Sequence, residues 1–318
     1  MRIAPYLFAL ALYCFAPAAQ AMEWRSVDKA MLAALQDDDI NRHKDEPEFL
    51  EGISVSEIRF SENGFDWHLI RFSSEANRDG PLWVVPHDDE NAAFEAMIAA
   101  LHKYGGTGIA VNTGPTSTRR QTGYGLCGVR SAMVSACDPN RNFDERTPVF
   151  TQAILDAWKP GRPLIALHTN SHGFGGDGAG GRGDITMLDA RAYARGEIIA
   201  RADGYFGNRT IAMLDNPDVY AILPYAGTKA ISDGETVCRN AMNQSGINVW
   251  HERVRRSDGS LSNYVALQRP DIAYVNFEAK REVDLSTAAK AQGLMIDAYL
   301  QKCAGLWSQP MSAPVSGP

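Results

Sequence analysis

Pro81-Leu82-Trp83-Val84-Val85-Pro86-His87-Asp88-Asp89-Glu90 is an apolar run that stops at four side chains able to bind a metal ion. So short an apolar run, fenced by prolines, reads as a buried strand. Beyond it, Phe94, Met97, Ile98 and Leu101 recur at helical spacing, so residues 92–104 read as a helix, which Gly105-Gly106 ends. His87 and Glu90 fall on the turn between the two. Imidazole nitrogen and carboxylate oxygen are the ligands an open zinc site prefers, and a third must come from elsewhere in the chain. The same stretch also reads as a helix start whose Asp88, Asp89 and Glu90 favour the dipole, with His87 uninvolved.

Working outward, residues 53–73 read as a β-hairpin around Glu62-Asn63-Gly64, since Asn-Gly is a strong tight-turn signal. Residues 107–112 form the next strand and 163–167 another, ending at His168-Thr169-Asn170-Ser171-His172. Helices are expected over 22–44, 148–158, 189–202, 232–244 and 284–303. Further strands are expected over 219–223, 247–254 and 264–268, the last two joined through Asp258-Gly259, and over 273–277, which ends at Glu278. This alternation predicts an α/β fold, a single domain with a mixed central sheet flanked by helices on both faces. Residues 113–146 lack periodicity, as a functional loop would. The Gly-rich stretch 173–183 has no Gly-Lys-Ser/Thr and does not read as a phosphate cradle.

Arg2, the apolar run after it and Ala19-Gln20-Ala21 read as a secretory signal over residues 1–21. A catalytic domain over 22–307 and a disordered tail over 308–318 are expected to follow. Pro5 and Pro17 interrupt the leader, so export without stable membrane insertion is expected, to the periplasm or the exterior. A formal charge of −7 with no basic stripe argues against a nucleic-acid partner. Outside the leader stand Cys127, Cys137, Cys238 and Cys303, an even number suited to two disulfides in an oxidising compartment. Three pairings are possible, and short spacing favours Cys127 with Cys137, leaving Cys238 with Cys303.

Four features follow in chain order: His87-x-x-Glu90, Asp138-Pro139-Asn140-Arg141-Asn142-Phe143, His168 after a strand, and Asn276-Phe277-Glu278 at a late strand's end. Together, from about His87 to Glu278, they make the chain resemble the zinc carboxypeptidases of the carboxypeptidase A superfamily, which includes amidohydrolases of the succinylglutamate desuccinylase and aspartoacylase type. The resemblance implies one zinc ion per chain on His87, Glu90 and His168, with His172 as rival for the third place. It implies a substrate-carboxylate grip from Asn140 and Arg141 and a general acid–base in Glu278. For the oxyanion Arg130 is the first candidate, with Arg119 and Arg120 behind it, and Tyr264 is the candidate for a residue that closes over substrate.

These roles are chemically coherent. Zinc with three protein ligands lowers the pKa of its water to about 7, a nearby carboxylate can move the proton, and a guanidinium binds a carboxylate bidentately. The expected activity is hydrolysis of an amide bond beside a substrate carboxylate, by a carboxypeptidase acting on peptides, with cell-wall stem peptides as one pool. The alternatives are an amidohydrolase of N-acyl amino acids and a non-catalytic peptide-binding protein, although a binding module has no use for Glu278.

Overall fold

The computed structural model describes residues 23–113, 126–127, 137–170, 186–188, 196–202, 211–281 and 283–306. The expected leader and tail, Arg119, Arg120, Arg130 and His172 lie outside them. Described strands are β1 (Arg25–Val27), β2 (Ile53–Glu62), β3 (Phe65–Ser74), β4 (Leu82–Val85), β5 (Thr107–Val111), β6 (Leu164–Asn170), β7 (Ile198–Ala200), β8 (Tyr220–Ala226), β9 (Val249–Val254) and β10 (Tyr274–Lys280). The longer helices are α1 (Asn91–Tyr104), α2 (Pro148–Leu155), α3 (Asp233–Gln244), α4 (Leu261–Gln268) and α5 (Leu285–Lys302). The strands form one mixed sheet in the order β1-β2-β3-β5-β4-β6-β10-β8-β9-β7.

Strands β5, β4, β6 and β10 run parallel at its centre, so their carboxyl ends share one edge. That edge is where open α/β sheets collect ligands. Burial on both faces explains why β4 and β6 are apolar almost throughout. On one face Trp83, Val85, Ile165, Leu167, Val275 and Phe277 pack against α1 and α5. On the other, Leu82, Val84, Leu164, Ala166 and Tyr274 pack with Phe150 of α2 and with Leu261 and Val265 of α4. Asn63 and Gly64 both have positive φ, as the tight turn of the β2–β3 hairpin requires.

Several segments depart from expectation. Residues 22–44 are not one helix: β1 pairs antiparallel with β2, and short helical turns follow at Lys29–Leu32 and Asp38–Arg42. Gln36 in the left-handed region ends the first stretch, and the Asp37 carboxylate caps the second by accepting from Ile40 N. Residues 264–268 are helical, not a strand. The run Tyr264-Val265-Ala266-Leu267 looks extended alone, but Ser260 caps it by accepting from Asn263 N, and α4 buries one face on the sheet. Within 189–202, expected to be helical, Ile198–Ala200 is an edge strand antiparallel to β9. β6 and β10 each run two residues past His168 and Glu278, which therefore sit inside strands and not at their ends.

The disulfides are Cys127–Cys137 and Cys238–Cys303, the expected pairs, and they suit an oxidising compartment. Among the described residues no helix is long and apolar enough to cross a membrane.

Candidate metal centre

β4 ends at Val85, and Glu90 occupies the N-cap of α1, so the short turn between them folds His87 and Glu90 toward each other. β6, beside β4, carries His168 to the same place. His87 Nδ1 lies 3.0 Å from Glu90 Oε1, His168 Nδ1 lies 3.1 Å from Glu90 Oε2, and the two Nδ1 atoms are 3.2 Å apart. A tetrahedral shell with metal–ligand bonds of 2.0–2.1 Å has edges of about 3.3 Å. The three side chains thus form a triangle that fits one face of such a shell, and all are buried. Burial alone would raise the Glu90 carboxyl, but the charges of His87 and His168, and their hydrogen bonds to it, hold it well below the usual range.

His87 uses its other ring nitrogen on Asp138: Nε2 is 2.8 Å from Oδ1. A carboxylate can only accept, so Nε2 carries a proton, and Nδ1, which faces Glu90 in the metal-free site, is the nitrogen left to offer its lone pair when a metal ion is bound. Asp138 is 1% exposed and precedes the helical turn Pro139–Arg141. Asn142, fully buried, pins this turn: its Oδ1 accepts from Cys127 N at 3.0 Å, and its Nδ2 donates to Asp138 O at 2.7 Å and Pro139 O at 3.2 Å. His168 is steadied from behind, where Gln292 Nε2 of α5 donates to its backbone oxygen at 2.5 Å.

Glu278 pairs with His168 across the parallel β10–β6 ladder and with Tyr220 across β10–β8, so all three share one face of the sheet. Asn276, two residues earlier on that face, donates Nδ2 to Glu278 Oε1 at 3.0 Å. Arg141 approaches from the loop side, its Nε 3.8 Å from Asp138 Oδ2 and one terminal nitrogen 3.6 Å from Asp258 Oδ2. Both distances exceed hydrogen-bond length, and Nε is buried with no hydrogen-bond partner among the described residues.

The other expected residues fare unevenly. Asn140 spends its Oδ1 on Leu261 N at 3.2 Å, tying the Pro139–Arg141 turn to the start of α4. Tyr264 lies on α4, partly buried against the core and near Arg269. Arg130 lies outside the described residues. Asp88 accepts from Thr113 N at 3.0 Å and Asp89 pairs with Arg281, so neither joins the ligand triangle. The sequence motifs alone give Asp138 and Asn276 no role. The signal for Asn276 was its position two residues before Glu278, which puts both on one face of a strand.

No protein-family model matches this chain, and no curated protein sequence matches it. Among solved structures, the chain is similar to a "putative metallopeptidase" from Shewanella denitrificans, with 13% identity, a TM-score of 0.38, and coverage of 84% of this chain and 89% of that one. It is also similar to the cell shape determinant Csd4 of Helicobacter pylori in its tripeptide-bound form, with 17% identity, a TM-score of 0.40, and coverage of 74% of this chain and 55% of that one. A further structure of Csd4, described as a D,L-carboxypeptidase in its mDAP-bound form, gives 17% identity and a TM-score of 0.39 over 72% of this chain and 52% of that one. Likenesses this distant carry no functional weight, and the reading of the site rests on its residues.

Proposed function

We propose that this chain is an exported zinc-dependent hydrolase that cleaves an amide bond beside a substrate carboxylate, as a carboxypeptidase acting on peptides. The supporting observation is the ligand triangle of His87, Glu90 and His168 with Glu278 in register beside His168. Two histidines and a glutamate match the donor set of catalytic zinc sites that keep a fourth position open. When bound there, zinc would polarise the scissile carbonyl and bring the pKa of a water near 7.

The protein's own groups do the rest. His87 and His168 offer Nδ1 and Glu90 its carboxylate, with Asp138 fixing the tautomer of His87. Glu278 takes the proton of the attacking water on a carboxylate oxygen and returns it to the leaving nitrogen. Asn276 restrains that carboxylate through Oε1. Arg141, whose Nε makes no hydrogen bond among the described residues, receives the terminal carboxylate of the peptide. Arg130 remains the candidate donor to the oxyanion. Compartment alone makes cell-wall stem peptides the nearest peptide pool.

The test is mass spectrometry of products from a pool of peptides, cell-wall fragments and N-acyl amino acids, with and without chelator. Release of C-terminal residues that stops on chelation and returns with zinc is the expected result. Release of acyl groups only would transfer the site to the amidohydrolases, and turnover indifferent to chelator would remove the metal from the reaction.

A further inference from the structure

Among the described residues, the buried polar atoms around the candidate site that make no hydrogen bond include Nε of Arg141, Oδ1 of Asn263 and Oδ1 of Asn276. Asn263 and Asn276 are only 3% and 6% exposed. Their amides cannot simply be turned over. Asn276 faces the Glu278 carboxylate at 3.0 Å and Asn263 faces the Asp258 carboxylate at 2.8 Å. A carboxylate only accepts, so each amide must present its nitrogen there, and in both side chains oxygen is the atom left over.

Arg141 and Asn263 share Asp258, and α4, which carries Asn263, packs on β10, which carries Asn276. Asp258 bonds Asn263 and pairs with Arg141 at 3.6 Å. Tyr274 lies two residues before Asn276 on the same face of β10. Burial, then the charges of Glu252, Glu278 and Asp258, push its hydroxyl far above the usual range, so the carboxylates that hold the two asparagines act on the same phenol. A buried acceptor without a donor costs about 1–3 kcal/mol. Two such acceptors beside a buried guanidinium N–H make a pattern that one ligand completes, with a carboxylate for Arg141 and N–H groups for the asparagines.

We propose that the residue this enzyme releases carries a nitrogen donor on its side chain, an amide or an amine, which Asn263 Oδ1 and Asn276 Oδ1 receive while Arg141 holds its carboxylate. This rests on the carboxypeptidase reading above, which assigns the carboxylate grip but no side-chain preference. A glutamine-like or lysine-like side chain satisfies both oxygens. A methionine of similar length leaves both dry and unpaired, and a glutamate brings a fourth carboxylate to Asp258, Glu252 and Glu278.

The experiment uses the zinc-loaded protein and four acyl-dipeptides that differ only in the last residue: Gln, Lys, Met and Glu. Both kcat/KM and, by calorimetry, Kd are measured. The Gln and Lys peptides should exceed the Met and Glu peptides by about tenfold or more in each quantity. Asn263→Leu should bring the Gln-to-Met ratio within about twofold of unity, and Asn263→Asp should favour Lys over Gln. Asn276→Leu should compress the same ratio and also lower kcat for every peptide, because it removes the bond to Glu278. Equal values for Gln and Met in the unaltered protein overturn the proposal while leaving the carboxypeptidase reading standing. A tenfold difference in Kd without turnover of any peptide keeps the proposal and sinks that reading. Neither binding nor turnover of any of the four overturns both.

Discussion

His87 Nε2 stands 2.8 Å from Asp138 Oδ1, so the ring that turns Nδ1 toward Glu90 and His168 is held from behind by a buried carboxylate. Asp138→Asn keeps the shape but removes the charge and one acceptor oxygen. Metal affinity should fall about 10- to 100-fold, the range for partners of ligating histidines, with little change in the apo fold. Competition against a chromogenic chelator measures this. An unchanged affinity would mean that Asp138 does not set the orientation of His87.

Arg141 faces Asp138 and Asp258 at 3.8 and 3.6 Å without a hydrogen bond, so its donors are not committed to either carboxylate. Arg141→Ala should raise KM for peptides with a free terminal carboxylate by roughly 10- to 100-fold, since hydrogen bonds to charged groups are worth about 1.5–3 kcal/mol. Turnover of C-terminally amidated peptides should change much less. The ratio of kcat/KM for free-acid and amidated substrates is the readout, and an unchanged ratio removes Arg141 from the grip.

The two histidines of the candidate metal centre were legible in the sequence because each follows or ends an apolar run: Leu82 to Val85 leads to His87, and Leu164 to Leu167 leads to His168. Two such runs in one α/β chain meet at one sheet edge whatever lies between them. The Asn63-Gly64 hairpin was legible for a similarly local reason, two positive φ values that these residues tolerate. Residues 264–268 were misread because β-prone residues there fold as a helix under the Ser260 cap and the packing of α4 on the sheet, and the packing is a tertiary contact. Tyr264 accordingly stands on a helix and not on a strand. Asn276 and Asn263 could not be weighed without the register of β10 and the helical state of α4, since only these show which carboxylate each amide faces.

His251 is 1% exposed, and burial, with a smaller effect from Arg239, pushes its pKa down to about 4. In the unfolded chain its pKa is near 6.5. Between those values the unfolded state binds the extra proton, so stability is full above about pH 6.5 and falls as pH drops toward 4. The contribution lost is about 3 kcal/mol. His251→Leu should flatten this part of the profile, measured by urea unfolding at pH 7 and pH 5. An equal loss in both proteins would place the acid sensitivity elsewhere.

Asn142 joins the Cys127–Cys137 disulfide to the candidate metal centre. It is fully buried, and its amide holds Cys127 N, Asp138 O and Pro139 O at once, so the residue beside Cys137 in the chain is also the one that steadies His87. Asn142→Ala would strand one backbone donor, Cys127 N, and one carbonyl, Pro139 O, at about 1–3 kcal/mol for each group that finds no new partner, while Asp138 O keeps its bond from Arg141 N at 2.8 Å. Stability should therefore fall by about 2–4 kcal/mol in the metal-free protein, where ligand binding cannot mask it. Zinc affinity should fall as well, because Asp138 loses one of the two donors that hold its backbone oxygen and keeps only Arg141 N. Denaturant unfolding of the apo protein and chelator competition on the refolded variant separate the two effects. A variant that loses stability but binds zinc as tightly as before would show that Asn142 serves the loop alone and that Asp138 is placed by its neighbours Pro139 and Asn140.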